Sequence, residues 1–241
     1  MKLPVIQGLI RRRILVNFRV DASVMQRQLP SRFHPKLHAG SAIAGICLIR
    51  LEQIRPRFFP ALLGHSSENA AHRTAVLWEN EQGETREGVF ISRRDTNSVL
   101  NHLAGGRVFP GEHHHADFQV KESDGKVELK MSSKDEAVTV KVLGKIAGEL
   151  PPTSRFKSLT EASGFFEPGA VGYSVTSEGR RLDGLKLRTK NWRVEPLEIE
   201  ELFSSYFADE RRFPQGSVNF DCALIMRNIE HEWQSEPDLY I

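Results

Sequence analysis

Hydrophobic and polar positions along the chain recur mostly with the two-residue period of a strand. "RILVNFRV" (13–20), "AIAGICLIRL" (42–51), "HRTAVLWEN" (72–80) and "EGVFISRR" (87–94) are β-branched and aromatic runs bounded by Gly, Pro or charged turn clusters. "HHHADFQVK" (113–121), "KVELKMSS" (126–133) and "AVTVKVLGKI" (137–146) predict a meander, its first pair joined by the Gly-containing hairpin signal "ESDGK". "GLKLRTKNWRVEPL" (184–197) and "SVNFDCALIMRNIEHEW" (217–233) complete the strand set. Helical signals are few. Asp21 is placed to cap "ASVMQRQL", and Thr96 to cap "NSVLNHLA", which ends at Gly105 and Gly106. "SLTEASGFF" (158–166) and "EIEELFSSYF" (198–207) are the other helix candidates. The pattern predicts a mainly β, β-rich α+β protein, predominantly antiparallel, with a few peripheral helices. "LPPTS" (150–154) is the best boundary signal, but its brevity favours a crossover loop, so residues 1–241 are read as a single domain.

Composition narrows the function classes. At 241 residues and 39% hydrophobic, the chain can bury a sizeable core. Its 33 basic and 31 acidic residues nearly balance, so no electrostatic footprint for nucleic acid is expected. No run approaches the about 18 uninterrupted apolar residues of a membrane span, and the N-terminal stretch, stopped by Arg11, Arg12 and Arg13, lacks a signal peptide's apolar region. Those arginines read as a solvated start to a strand. Cys47 and Cys222 sit in apolar runs without CxxC spacing, as reduced core cysteines of a cytoplasmic protein do.

Candidate chemistry gathers in two places. "VFPGEHHHADF" (108–118) carries three consecutive histidines. In a strand His113 and His115 share one face about 7 Å apart, while His114 points away with Glu112. That spacing suits two ligands of one metal, with His72, Glu68 or His102 as third donors, or a polar strand lining a cavity or interface. Glu122 lies too far along for the cupin pattern, and no metal is assigned. The second place is "SSENAAHRTAVLWE" (66–79) with "REGVFISRRDTNS" (86–98), where Glu68, His72, Arg73, Glu87, Arg93, Arg94 and Asp95 interrupt apolar strands. Such groups either form ion-pair networks between strands or converge on a cavity that positions an acid substrate. No nucleophile elbow, P-loop or GxGxxG is present.

One family shares this order of motifs. "LP..F.P" (29–35), "GICLIRL" (45–51), "SSENAAHR" (66–73), "GVFISRRDTNS" (88–98), "AGGRVFPGEHHHA" (104–116), "WRVEPL" (192–197) and "FDCALIMRNIEHEW" (220–233) resemble the bacterial domain-of-unknown-function 2071, or YqjF-like, family over nearly the whole chain. That family is distantly related to acetoacetate decarboxylase. The resemblance implies an acetoacetate decarboxylase-like β-barrel or cone of strands around a cavity. In that enzyme a Gly-Arg-Glu and Gly-(Tyr/Phe)-Pro-Lys-Lys segment carries the Schiff-base lysine beside a second cation. Here the matching stretch is Gly106-Arg107, Val108-Phe109-Pro110 and then His113-His114, and both lysines are absent. An imidazole forms no imine, so the resemblance argues against decarboxylation by that route. It also places Glu68 and Glu87 near the relative's cavity glutamates.

The expectation is therefore a small carboxylate or keto ligand held by Arg94 and Arg107, with His72 and His114 nearby. His113 or His115, aided by Glu68 or Glu87, would be acid–base groups. No cofactor, nucleic acid or membrane partner is expected, and homo-oligomerisation is, because extended sheets with edge strands tend to pair. The rival readings are a non-catalytic binding or sensor module and a metal-dependent enzyme using His113 and His115.

Overall fold

The computed structural model describes residues 4–99, 111–176 and 179–241. The chain runs through β1 (Ile6–Val20), α1 (Ala22–Gln26), the two-residue strands β2 (His34–Pro35) and β3 (Leu37–His38), and β4 (Ser41–Pro56). It continues through β5 (His65–Glu79), β6 (Thr85–Thr96), β7 (His113–Ser123), β8 (Lys126–Ser133), β9 (Thr139–Ile146) and α2 (Leu159–Phe166). Last come β10 (Val171–Val175), β11 (Arg181–Thr189), β12 (Glu195–Ser204), α3 (Ser205–Ala208) and β13 (Val218–Tyr240).

All thirteen strands join one sheet that closes on itself twice. The first circuit runs β6-β7-β8-β9-β12-β13-β1-β4-β5 and returns to β6; the second runs β6-β10-β11-β13-β1-β4-β5 and returns likewise. Five strands, β13, β1, β4, β5 and β6, belong to both. The architecture is mainly β, as expected, but not a simple antiparallel barrel, because β6 pairs parallel with both β7 and β10.

Double membership explains the hydrophobic patterning. β4 is buried without interruption from Ala42 to Leu48, and β13 from Asp221 to Met226, since each face packs into a different compartment. Ile14, Val16, Ala44, Ile46 and Leu48 join Leu129, Val140 and Ile225 inside the first circuit. Leu15, Ile43, Cys47, Leu224 and Met226 face the second, with Phe156 and Phe166 from around α2. β8 belongs only to the first circuit, and its buried residues Val127, Leu129, Met131 and Ser133 alternate with more exposed ones. The turn before it is a two-residue loop in which Asp124 (φ 48°) and Gly125 (φ 78°) are both left-handed, as the "ESDGK" signal requires.

Three helix expectations change. α1 spans five residues rather than eight, and Asp21 makes no side-chain cap, its backbone N–H donating to Ser217 O at 2.9 Å. Thr96 ends β6, its Oγ1 accepting from Ser98 N at 3.1 Å, and residues 100–104 of the expected helix lie outside the described set. "EIEELFSSYF" is mostly strand. Its register against β9 slips between Ile199 and Glu201, so Leu197 and Ile199 on one side of the bulge and Leu202 on the other all reach the core. That irregularity mimics helical spacing. α2 forms as read, with Ser158 Oγ accepting from Glu161 N.

His72 sits fully buried in the first compartment, its ring 4.4 Å from that of Tyr206, and neither ring nitrogen has a hydrogen-bond partner among the described residues. Burial, with the Arg93 and Arg212 charges adding to it, lowers its pKa from 6.5 to about 3. The unfolded chain thus takes up a proton near pH 6.5 that the fold refuses until about pH 3, so this residue's contribution is complete above 6.5 and is lost as pH falls through that window. Relative to His72→Phe, the wild type is expected to lose up to about 1.4 kcal/mol per pH unit on acidification. Urea denaturation of both proteins from about pH 7 to about pH 4.5 measures the difference. Parallel curves would show that the imidazole stays hydrated.

Candidate active site

The second circuit encloses a cavity of about 140 Å³. Its wall is built on the cross-strand rows of β1, β4, β5 and β6. Leu15 lies opposite Cys47, Cys47 opposite Ala71, and Ala71 opposite Arg94. In the next row Arg13 faces Ile49, which faces Asn69; on the other side Arg73 faces Ile91. Small Cys47 and Ala71 leave the middle of this wall open, and Arg13, Arg73 and Arg94 surround it. Ile49, Leu51, Ile91, Leu185, Leu187 and Trp233 supply an apolar wall.

A bulge decides which of two adjacent arginines lines the cavity. Between β5 and β6 the register steps from His72↔Arg93 to Arg73↔Ile91, leaving Ser92 as the extra residue. Strict alternation from Val89 and Ile91 would point Arg93 inward. The bulge instead puts Arg94 on the cavity wall and turns Arg93 to Asp95 and Asp135, at 2.8 and 2.9 Å. Arg94 Nε donates to Ser174 Oγ at 3.3 Å. Beside it Gly111 has φ +77°, and a Cβ there would lie 2.6 Å from Ser174 Cβ, so glycine is needed where β7 comes in beside Arg94.

Electrostatically the cavity is unbalanced. Arg13 Nε donates to Cys47 Sγ at 3.2 Å, and Arg73 donates to Asn17 Oδ1 at 2.6 Å with its guanidinium 5.1 Å from the Phe166 ring centre. Among the described residues no carboxylate pairs with Arg13, Arg73 or Arg94. Burial lowers Arg73 and Arg94 to about 10, so both stay charged at neutral pH. Asp95 also reaches the wall but is held by Arg93. A smaller lobe, reached past Arg13 and Arg73, contains Lys36 and Glu87 as an ion pair at 2.5 Å.

The expected site residues separate. His113 lines the cavity beside Arg94, its partner in the parallel β6–β7 register, with Nδ1 3.3 Å from Gly111 O. His115 shares a strand face with it but is not part of the cavity wall. His114 leaves the cavity for Asp135, at 3.0 Å. Glu68 lies on the other face of β5 from Asn69 and Ala71, bonded to the fully buried Arg12 at 2.6 Å, and that guanidinium also bonds Glu122. Alternation likewise sends His72 into the first compartment, on the face of β5 away from the cavity wall. Glu87 is in the side lobe with Lys36. Arg107 and His102 lie outside the described residues. Among the described residues no third donor joins His113 and His115 in a metal-holding group. Cys47 is a free, buried core cysteine as read, whereas Arg13, expected to be a solvated strand start, is half-buried on the cavity wall. The signal for Arg13 was a cation directly preceding a run buried on both faces, Ile14 to Phe18.

A sequence profile described as an uncharacterised conserved protein family, DUF2071, matches residues 9–219. The chain belongs to the DUF2071 family. This DUF2071 chain also superposes on acetoacetate decarboxylase from Legionella pneumophila with a TM-score of 0.61 at 10% identity, covering 98% of this chain and 88% of that one. An acetoacetate decarboxylase-like enzyme from Sphingomonas wittichii gives 0.59 at 11%, covering 99% and 92%. The enduracididine biosynthesis enzyme MppR, with HEPES bound, gives 0.61 at 11%, covering 100% and 89%. At such identities the likeness shows the fold, which is the one the motif order implied. No curated protein matches by sequence.

The position of Glu68 generates a test. Burial raises its carboxyl above the ordinary value, against the pull of Arg12 and Arg50. Glu68→Ala removes one carboxylate from a buried guanidinium that keeps Glu122, so a loss of about 3 kcal/mol is expected, the low end for orphaning a buried charge. Denaturant unfolding measures that loss, and affinity for cavity ligands is expected to change less than about twofold, within roughly 0.4 kcal/mol. Intact stability with lost ligand binding would return Glu68 to the site.

Proposed function

We propose that the chain binds a small carboxylate or keto compound in the second-circuit cavity, Arg94 holding the anionic group and His113 supplying the acid–base group. The observation that carries this reading is the adjacency of Arg94 and His113 on one cavity wall, with Arg94 bonded, among the described residues, to a serine hydroxyl and no carboxylate. A guanidinium is a strong, oriented donor for a carboxylate. The His113 Nδ1 contact with a carbonyl suits Nδ1–H, which makes Nε2 the basic nitrogen of the neutral ring. An MppR structure of the same fold, with a TM-score of 0.58 and 11% identity, is complexed with pyruvate, a keto acid of suitable size.

The chemistry we assign uses no Schiff base. Among the described residues no lysine lines the main cavity, and Lys36 of the side lobe is held by Glu87. Borohydride treatment with pyruvate or acetoacetate is expected to leave the intact mass unchanged, and a covalent adduct on Lys36 would overturn the assignment. Arg94→Gln is expected to weaken binding of short keto acids and carboxylates at least tenfold by calorimetry, about 1.4 kcal/mol. Unaltered affinity would sink the role of Arg94.

A second reading, a binding or sensor module without turnover, draws on one specific feature. Neither Glu68 nor Glu87 stands beside His113, so the expected acid–base partnership is not assembled. Binding without product across a keto-acid panel favours this reading, whereas turnover that His113→Gln abolishes favours the enzyme.

A further inference from the structure

The cavity holds more positive charge than one carboxylate neutralises. Arg94 has company: Arg13 comes from β1 and Arg73 from β5, and neither has a carboxylate partner among the described residues. Arg73 is 5% exposed, and its Nε has no hydrogen-bond partner. The three residues sit at most about two strand spacings, roughly 10 Å, from the Cys47–Ala71 floor. Guanidinium arms can therefore converge above it. The remaining acids near the wall are committed, Asp95 to Arg93 and Glu87 to Lys36. Leu185 and Leu187 line the same cavity with no polar side-chain group, and Trp233 adds mostly ring carbon.

Resting on the reading of this cavity as a small-carboxylate site, we propose that its ligand is a doubly charged small anion with a short apolar body. Both charges would be gathered by Arg13, Arg73 and Arg94, and the body would lie against Leu185, Leu187 and Trp233. Dicarboxylates and phosphate monoesters share this chemistry. A ligand of this class offsets two of the three buried positive charges, whereas a monocarboxylate offsets one and leaves the cluster largely unmatched.

The test is calorimetric titration of the whole protein with anions matched in carbon count: valerate against glutarate, butyrate against succinate, and butyl phosphate as the phosphate arm. We expect at least tenfold tighter binding of the dianion in one arm, glutarate and succinate or butyl phosphate, and that arm identifies the source of the charge. Arg13→Gln should remove most of this preference, weakening dianion binding at least fivefold more than valerate binding. A steeper fall of dianion than monoanion affinity with added salt gives the same information on the unmutated protein if the variant does not fold. Equal affinities for matched mono- and dianions overturn the inference and leave the carboxylate reading standing. Failure of every anion to bind removes both.

Discussion

A strand buried on both faces has no solvent side on which to place an ionisable residue. Strands β1, β4, β5 and β13 are in this position because the sheet closes into two circuits that share them. Every charged side chain along their central stretches must therefore be satisfied in one compartment or the other, and side-chain alternation decides which. Arg12 turns into the first compartment and Arg13 into the second; Glu68 and His72 go one way, Asn69 and Arg73 the other. Neighbours in sequence thus become components of separate chemical environments. The candidate site is one of these environments, and the expected His–Glu constellation draws residues from both.

The two compartments treat charge differently. On the first-circuit side the cations have partners: Arg12 meets Glu68 and Glu122, Arg227 shares Glu122, and Arg93 holds Asp95 and Asp135 with His114 alongside. These are the strand-to-strand networks that a buried polar group requires. On the second-circuit side Arg13, Arg73 and Arg94 bond to a thiol, an amide and a hydroxyl. Neutral acceptors satisfy donor geometry but leave the charge in place. Since the same strands serve both sides, a general shortage of acidic residues does not explain the contrast.

Much of the fold was legible because its signals are local. Apolar runs marked the doubly buried strands, "ESDGK" marked the β7–β8 turn, and Ser158 and Glu161 marked α2. Bulges left no such mark. A single extra residue at Ser92 determines whether Arg93 or Arg94 lines the cavity, and an irregularity near Glu200 gave "EIEELF" a false helical period. The site was legible only in part for a related reason. His113 and Arg94 share one cavity wall, but whether Glu68 joins them depends on the face of β5 that meets the cavity. That is fixed by sheet closure, which no short window of sequence contains.

Local conflict within an otherwise consistent fold is where function is expected to leave its trace. Here three such conflicts coincide. Gly111 occupies a left-handed conformation against Ser174, a bulge displaces the alternation of β6, and three cations share a cavity without a carboxylate partner among the described residues. The first two position the third: the bulge faces Arg94 inward, and the absence of a Cβ at Gly111 lets β7 bring His113 alongside it. If the arginines were only structural, hydrophobic residues of similar volume would fill the cavity at lower electrostatic cost. Proton loss cannot relieve them either, because burial leaves Arg73 and Arg94 near 10 and therefore charged at neutral pH. On the proposed function, the cationic wall is half of an interaction whose other half is an anion from solution.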